Sequence, residues 1–182
     1  MAGYFGVIDE RLDYDLIRHL ARSMPDGSIV MIGPVVKVDP DSLPREPNIQ
    51  WLGQRAYEDL PAFLRAFDVC LMPFALNEAT QYINPTKTLE YMAAGKPIVS
   101  TAVADVERNF TPIVHIAGSH DAFAGAVKKL AERPDPELIE QGIERALGAS
   151  WTATVSAMRG HVLNALARLA GVKPGAVRSP FT

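Results

Sequence analysis

Six short apolar runs, each four to six residues long and without polar alternation, constrain this chain more than any other feature of it. They are Tyr4–Ile8, Ser28–Gly33, Asn48–Leu52, Asp68–Met72, Pro97–Thr101 and Ile113–Ile116. A strand with one face in water alternates apolar and polar side chains. A continuous apolar run is instead what a strand needs when both faces of a parallel sheet are covered. The segments between several runs carry the helical period. Asp13–Met24 puts Leu16, Ile17, Leu20, Ala21 and Met24 on one stripe behind an aspartate cap, and Tyr57–Phe67 repeats the pattern with Leu60, Phe63, Leu64 and Phe67. After the last run come Asp121–Glu132, Pro136–Leu147 and Trp151–Leu169, with start signals at Pro136 and Ser150. This alternation predicts an α/β, Rossmann-like three-layer sandwich with a mostly parallel sheet of about six strands and helices at the C-terminal end. Residues 1–170 read as one domain, with a flexible tail over residues 171–182 and a surface loop over Val35–Glu46.

In such a sheet ligands bind beyond the carboxyl ends of the strands. Three loops meet there: Gly6–Asp13, Gly53–Ala56 and Asn77–Asn84. The last feeds the segment richest in chemistry, Asn84-Pro-Thr-Lys-Thr-Leu-Glu-Tyr-Met-Ala-Ala-Gly-Lys-Pro-Ile-Val-Ser-Thr101. It predicts a short helix opening on Pro85 with Asn84 as cap, then a strand from Pro97. The amides of Thr86, Lys87 and Thr88 would then face outward at a positive helix end, beside two hydroxyls and an ammonium, a favourable place for a phosphate. Glu90 follows one turn later on the same face, where a carboxylate suits sugar hydroxyls. The same residues also make an ordinary well-capped helix start, so spacing alone leaves both readings open.

The order of these elements, with Gly33-Pro, Asn48-Ile-Gln-Trp-Leu-Gly53, Phe67-Asp-Val-Cys-Leu-Met-Pro-Phe74 and Lys87-Thr-Leu-Glu-Tyr-Met-Ala-Ala-Gly-Lys-Pro-Ile-Val-Ser-Thr101, resembles the C-terminal donor-binding domain of GT-B glycosyltransferases, in particular the family 4-like group that builds cell-surface polysaccharides. The resemblance covers about residues 3–170 and is most specific over Leu89–Ser100. It implies that Glu90 binds the ribose hydroxyls, that amides around Thr86–Thr88 hold the diphosphate, and that Gly53, Gln54, Arg55 and Ala56 line the base. Gly6 matches the glycine where the chain passes close to the donor phosphates. It further implies a nucleotide-diphosphate sugar as donor, UDP first among the choices, with no metal and no other cofactor. An N-terminal acceptor-binding domain would complete the enzyme. Met1-Ala2 stands ahead of the first strand as though the chain began at the second domain, which would leave it inactive alone. In the whole enzyme an acceptor hydroxyl attacks the anomeric carbon as the diphosphate leaves. The helix Trp151–Leu169 resembles the element that packs back toward the other domain, and an exposed apolar strip is expected on it.

Two positions depart from the family pattern. Tyr82 stands where the first glutamate of a Glu-x7-Glu pair belongs, with Glu78 nearby at the wrong spacing. The family's Arg and Lys after the first strand are reduced to Arg11 in Val7-Ile-Asp-Glu-Arg-Leu-Asp13. Lys87 is therefore expected to supply the missing charge, with Lys87 and Glu90 as the catalytic pair. Tyr82 is placed to stack on or hydrogen-bond the sugar, or merely to pack the loop.

Other features point away from competing classes. A net charge of −3 without a basic run disfavours nucleic acid as a partner. Apolar stretches fall short of the ~20 residues a membrane-spanning helix needs, so only peripheral membrane association of the full enzyme is considered, at the inner face. Tyr4–Ile8 followed by Asp9-Glu-Arg11 reads as a strand, and the lone Cys70 fits a buried packing role in a reducing cytoplasm. Asp39-Pro-Asp41 reads as a turn, and the four histidines, His19, His115, His120 and His161, lack metal spacing. His115 is expected near the ligand edge of the sheet as a core or rim residue, and Trp51 and Trp151 as core or helix anchors. The rival readings are a non-catalytic Rossmann-like nucleotide-binding or interaction module and, further off, a sugar-nucleotide epimerase domain.

Overall fold

A computed structural model of the chain describes residues 1–83 and 86–169. Met1–Arg145 forms one compact unit and Ala146–Thr182 a second. The first unit is built on six parallel strands: β1 Ala2–Phe5, β2 Ile29–Ile32, β3 Ile49–Gly53, β4 Val69–Met72, β5 Ile98–Thr101 and β6 Val114–Ala117. Their spatial order is β3-β2-β1-β4-β5-β6, and every pairing is parallel. The helices are α1 Tyr14–Ser23, α2 Leu60–Ala66, α3 Lys87–Ala93, α4 Ala104–Phe110, α5 His120–Glu132 and α6 Pro136–Gly148, followed by α7 Trp151–Leu169 in the second unit. Chain order reverses direction between β1 and β4, the switch point at which a doubly wound sheet opens a crevice.

Four of the six runs became strands buried from end to end, all four residues of β1, β2, β4 and β5 being buried; β3 has no buried residue and β6 buries only its two ends, Val114 and Ala117. Asp13 caps α1, its Oδ1 accepting from the Leu16 amide at 2.8 Å. Leu16, Ile17, Leu20 and Ala21 then pack inward, each fully buried leucine or isoleucine contributing ~1.5–3 kcal/mol. The predicted helix over 57–67 divides into a single tight turn, Tyr57–Asp59, and α2 behind Pro61. Cys70 is buried, and Asp39 caps a short turn at Pro40–Ser42, as its reading required.

Several expectations are corrected. The first strand is Ala2–Phe5 rather than 4–8, because Gly6 takes φ +144° and ends the regular ladder. Ala2 itself pairs with Ile29 and Val69 and belongs to the sheet. Helix α4, unanticipated, is anchored by Val106 and Phe110 alone, too few apolar residues to raise a periodic signal. His115 lies on β6 toward the amino ends of the strands, beside Lys96, Pro97 and Asp135 around a cavity of about 50 Å³, away from the ligand edge. Trp51 is half-buried and donates from Nε1 to the Pro44 carbonyl at 2.9 Å. Trp151, by contrast, is 84% exposed and anchors no core. It heads an exposed strip on α7 with Val155, Met158, Val162, Leu166 and Leu169. The tail from Gly171 lies outside the described residues.

Candidate functional site

The carboxyl end of β1 is where the predicted loops converge. Gly6 and Gly33 both adopt left-handed φ, +144° and +147°, and their backbones nearly touch. A Cβ on Gly33 would sit 1.8 Å from the Gly6 carbonyl oxygen, so only glycine lets the ends of β1 and β2 close on each other. Gly33 donates to the Gly53 carbonyl at 2.9 Å, bringing the third loop alongside. On the other side, Asp13 donates to Pro73 and Ala75 donates to the Arg11 carbonyl, which ties the first loop to the one after β4.

Lys87 opens α3 and lays its side chain over Gly6. A Cβ there would meet Lys87 Cε at 2.0 Å and Nζ at 2.6 Å. The ammonium stands 5.6 Å from the centroid of the Tyr4 ring, close enough for a cation–π contact. Among the described residues no carboxylate lies within ion-pair distance of it. Burial and the neighbouring Arg11 charge push Lys87 below the usual lysine range, against a smaller pull from Glu90 and Asp9. A partly buried cation without a carboxylate partner is primed to take an external anion.

Arg11 is differently placed. Its Nε donates to both Asp9 oxygens at 2.9 and 3.0 Å and its Nη2 to Oδ2 at 2.6 Å, while its own amide donates to Asp9 Oδ1 at 3.1 Å. Asp9 is only 5% exposed. Burial alone would raise its carboxyl, but the Arg11 hydrogen bonds and charge outweigh that and hold it below the ordinary carboxylate range. Tyr4 and Tyr14 complete the surround. Tyr4 donates to the Val7 carbonyl and Tyr14 to that of Asp9, and burial with the Asp9 charge raises both phenols, Tyr14 to about 12.

Helix α3 spans Lys87–Ala93, and Thr86 stands before it in helical conformation without capping through its side chain; Pro85, the expected first helical residue, lies outside the described residues. Asn84, the expected cap, lies outside the described residues. With seven residues, α3 offers a weaker terminal field than a longer helix would, so more of the anion-holding capacity rests on Lys87 itself. The Thr88 hydroxyl was expected beside the anion, but the side chain is buried and contacts Met72 Sδ at 3.5 Å; Thr88 opposes the core face of the helix to the outward Lys87. Tyr91 fixes α3 from the same core side, its hydroxyl accepting from the Phe5 amide at 3.1 Å.

Glu90, one turn beyond Lys87, borders a cavity of about 370 Å³. Phe5, Tyr57, Leu60, Leu64 and Arg65 form its other walls. Arg55 is exposed on the loop after β3, Glu78 is exposed, and Tyr82 is 84% exposed on the turn before Asn84. The structure thus brings Gly6, Gly33 and Lys87 together, with the Arg11 charge near enough to act on the Lys87 amine, and sets Glu90 on the wall of a largely apolar cavity. It leaves Arg55 and Tyr82 on the surface. Tyr57 and Asp9 escaped notice as site neighbours; the Asp-x-Arg spacing, which permits an aspartate to fold back onto the arginine, was the legible signal for the second. Among the described residues no group of three or more His, Cys, Asp or Glu side chains could hold a metal ion, and no helix is long and apolar enough to cross a membrane.

Residues 14–133 match the family described as Glycosyl transferases group 1, well over half of the 182-residue chain, and the protein belongs to that family. Its architecture is that of a GT-B-type Rossmann-like domain. A curated relative, the “Putative teichuronic acid biosynthesis glycosyltransferase TuaH” of Bacillus subtilis (strain 168), is 29% identical over 156 residues, covering 82% of this chain and 39% of the relative. Among solved structures, Anabaena Alr3699/HepE in complex with UDP superposes with a TM-score of 0.68 at 16% identity, over 90% of this chain and 48% of that one. AviGT4, a glycosyltransferase involved in avilamycin A biosynthesis, gives 0.66 at 19% identity, over 94% and 52%. The chain therefore spans about two-fifths of the curated relative and about half of each of these solved structures.

Proposed function

We propose that this chain is the donor-binding, C-terminal half of a family 4-like GT-B glycosyltransferase that moves a sugar from a UDP-sugar to a hydroxyl acceptor in cell-surface polysaccharide or glycolipid synthesis. The observation that carries the reading is the position of Lys87: a cation without a carboxylate partner, seated on Gly6 at the switch point of the sheet. Glu90 lies one helical turn away on the wall of a cavity large enough for a nucleoside. Membership of the glycosyltransferase family and the UDP-bound HepE relative support the choice of ligand.

In this scheme the diphosphate lies against Gly6 and Lys87, with Arg11 at its side. Glu90 accepts hydrogen bonds from the ribose, and the base enters the cavity beside Tyr57, near the loop carrying Gly53 and Arg55. As the acceptor hydroxyl attacks the anomeric carbon and the sugar–phosphate bond breaks, negative charge grows on the leaving diphosphate. Lys87 stabilises that charge where it develops, which is the most effective place for a cation. In the whole enzyme a second domain holds the acceptor, and this domain supplies the donor site. Tyr82, where an acid is usual in the family, leaves the sugar end of the site to other contacts.

Calorimetry of the purified chain with UDP, UDP-sugars and other nucleoside diphosphates tests this. Binding of UDP with preference over the other bases supports it; absence of binding to every nucleotide favours a non-catalytic interaction module.

A further inference from the structure

Asp9 is a carboxylate taken almost entirely out of water, a costly placement unless it does something that a neutral side chain could not. An asparagine would close the same turn, since the turn needs only one oxygen to accept from the Arg11 amide. What the second oxygen and the charge add is the grip on the guanidinium: Nε and Nη2 are both engaged, and the remaining donors of Arg11 are left on its other edge. The Arg11 side chain remains 39% exposed, and its charge is the strongest of the neighbouring charges acting on the Lys87 amine. The backbone at this point is also held from outside. Tyr14 donates to the Asp9 carbonyl at 2.9 Å, and the Arg11 carbonyl accepts from Ala75 at 2.8 Å.

We propose that Asp9 is a positioning residue, which locks the Arg11 guanidinium as a pre-oriented second donor to the nucleotide phosphates beside Lys87. It rests on the functional reading above, that this point of the sheet binds a nucleoside diphosphate. A guanidinium swinging freely would lose side-chain entropy on meeting the phosphate; one already clamped has lost it on folding. Asp9 thus trades some electrostatic attraction, since it is itself an anion, for orientation.

That trade gives the test opposite signs. If Asp9 acts only through its charge, Asp9→Asn removes an anion from the site and UDP binds more tightly. If Asp9 positions Arg11, the same substitution keeps the turn, frees the guanidinium and weakens UDP binding by roughly 5- to 10-fold, the scale of one charged hydrogen bond imperfectly made. Calorimetry compares UDP with uridine, which has no phosphate, for the wild-type chain, Asp9→Asn, Arg11→Ala, Arg11→Lys and the Asp9→Asn/Arg11→Ala double variant, with a thermal melt of each to establish folding. The expected result is weaker UDP binding in Asp9→Asn with uridine unchanged, Arg11→Lys as weak as Arg11→Ala because an ammonium cannot accept the side-on grip, and a double variant no worse than Arg11→Ala. Unchanged or tighter UDP binding in Asp9→Asn, or losses that add in the double variant, overturns the positioning role while leaving the nucleotide site standing. No UDP binding by the wild-type chain removes both.

Discussion

Replacing Gly6 by alanine separates what the backbone needs at this point from what the site needs. Gly6 sits at φ +144°, a region that side-chain-bearing residues enter at a cost of ~1–3 kcal/mol. The added methyl would meet the Lys87 side chain at 2.0 Å and the Tyr4 hydroxyl at 2.9 Å. The lysine end is flexible and can move aside at little cost, so Gly6→Ala should lower the melting temperature by about 2–12 °C, the strain term alone for a chain of this size. Moving Lys87 is what the ligand should feel. Losing one charged hydrogen bond of ~1.5–3 kcal/mol weakens UDP binding roughly 10- to 150-fold. Gly33→Ala is the harsher control: its methyl would meet the Gly6 carbonyl oxygen at 1.8 Å, backbone that cannot step aside, and a loss of ~4 kcal/mol or more is expected. Gly125→Ala on α5 meets nothing within 4 Å and should stabilise by ~0.5–1 kcal/mol. Differential scanning fluorimetry and calorimetry with UDP read both effects. A Gly6→Ala protein that melts lower yet binds UDP within twofold of wild type would refute the placement of Lys87 at the phosphate.

Tyr91→Phe removes the acceptor of the buried Phe5 amide and should cost ~1–3 kcal/mol, visible in urea denaturation and as faster hydrogen exchange at that amide. Folded Asp9 titrates below its ordinary 3.8, so the unfolded chain takes up that proton first. Its stabilisation is complete above about pH 5 and drains as pH falls through the folded value; Asp9→Asn should flatten the acid limb of a urea-midpoint profile, and an unchanged limb would contradict this. Glu90→Ala should reduce the preference for UDP over 2′-deoxy-UDP to near unity if the carboxylate holds the ribose; an undiminished preference would place the ribose elsewhere.

The sheet was readable because a parallel strand covered on both faces is predominantly apolar, and runs such as Val69–Met72 and Ile29–Ile32 admit little else. Its order, and hence the switch point beside β1, came from the long-range pairing that no local pattern encodes. Local signals also failed where an element leans on few contacts: α4 buries two side chains, and nothing in Ala104–Phe110 announces a helix. Lys87 and Glu90 were singled out by their spacing and by the family resemblance, and the structure sets Lys87 over Gly6 and Glu90 one turn further along α3 on a cavity wall. The direction of the Thr88 hydroxyl was misjudged because helical phase, set by the packing of Tyr91 and Met92, turns it into the core. Arg11 was read as the one base of the loop after the first strand, with no partner foreseen; its capture by Asp9 depends on a turn whose geometry the sequence permits but does not impose.

The central claim is that Lys87, and not the loop after the first strand, supplies the main charge for a nucleotide diphosphate. Titration of Lys87→Ala and Arg11→Ala with UDP and with uridine tests it most directly. Loss of roughly 10- to 150-fold in UDP affinity for Lys87→Ala, a loss under about 10-fold for Arg11→Ala, and unchanged uridine binding in both are predicted. Equal small effects of the two substitutions on UDP, or an equal loss of uridine in Lys87→Ala, would contradict it.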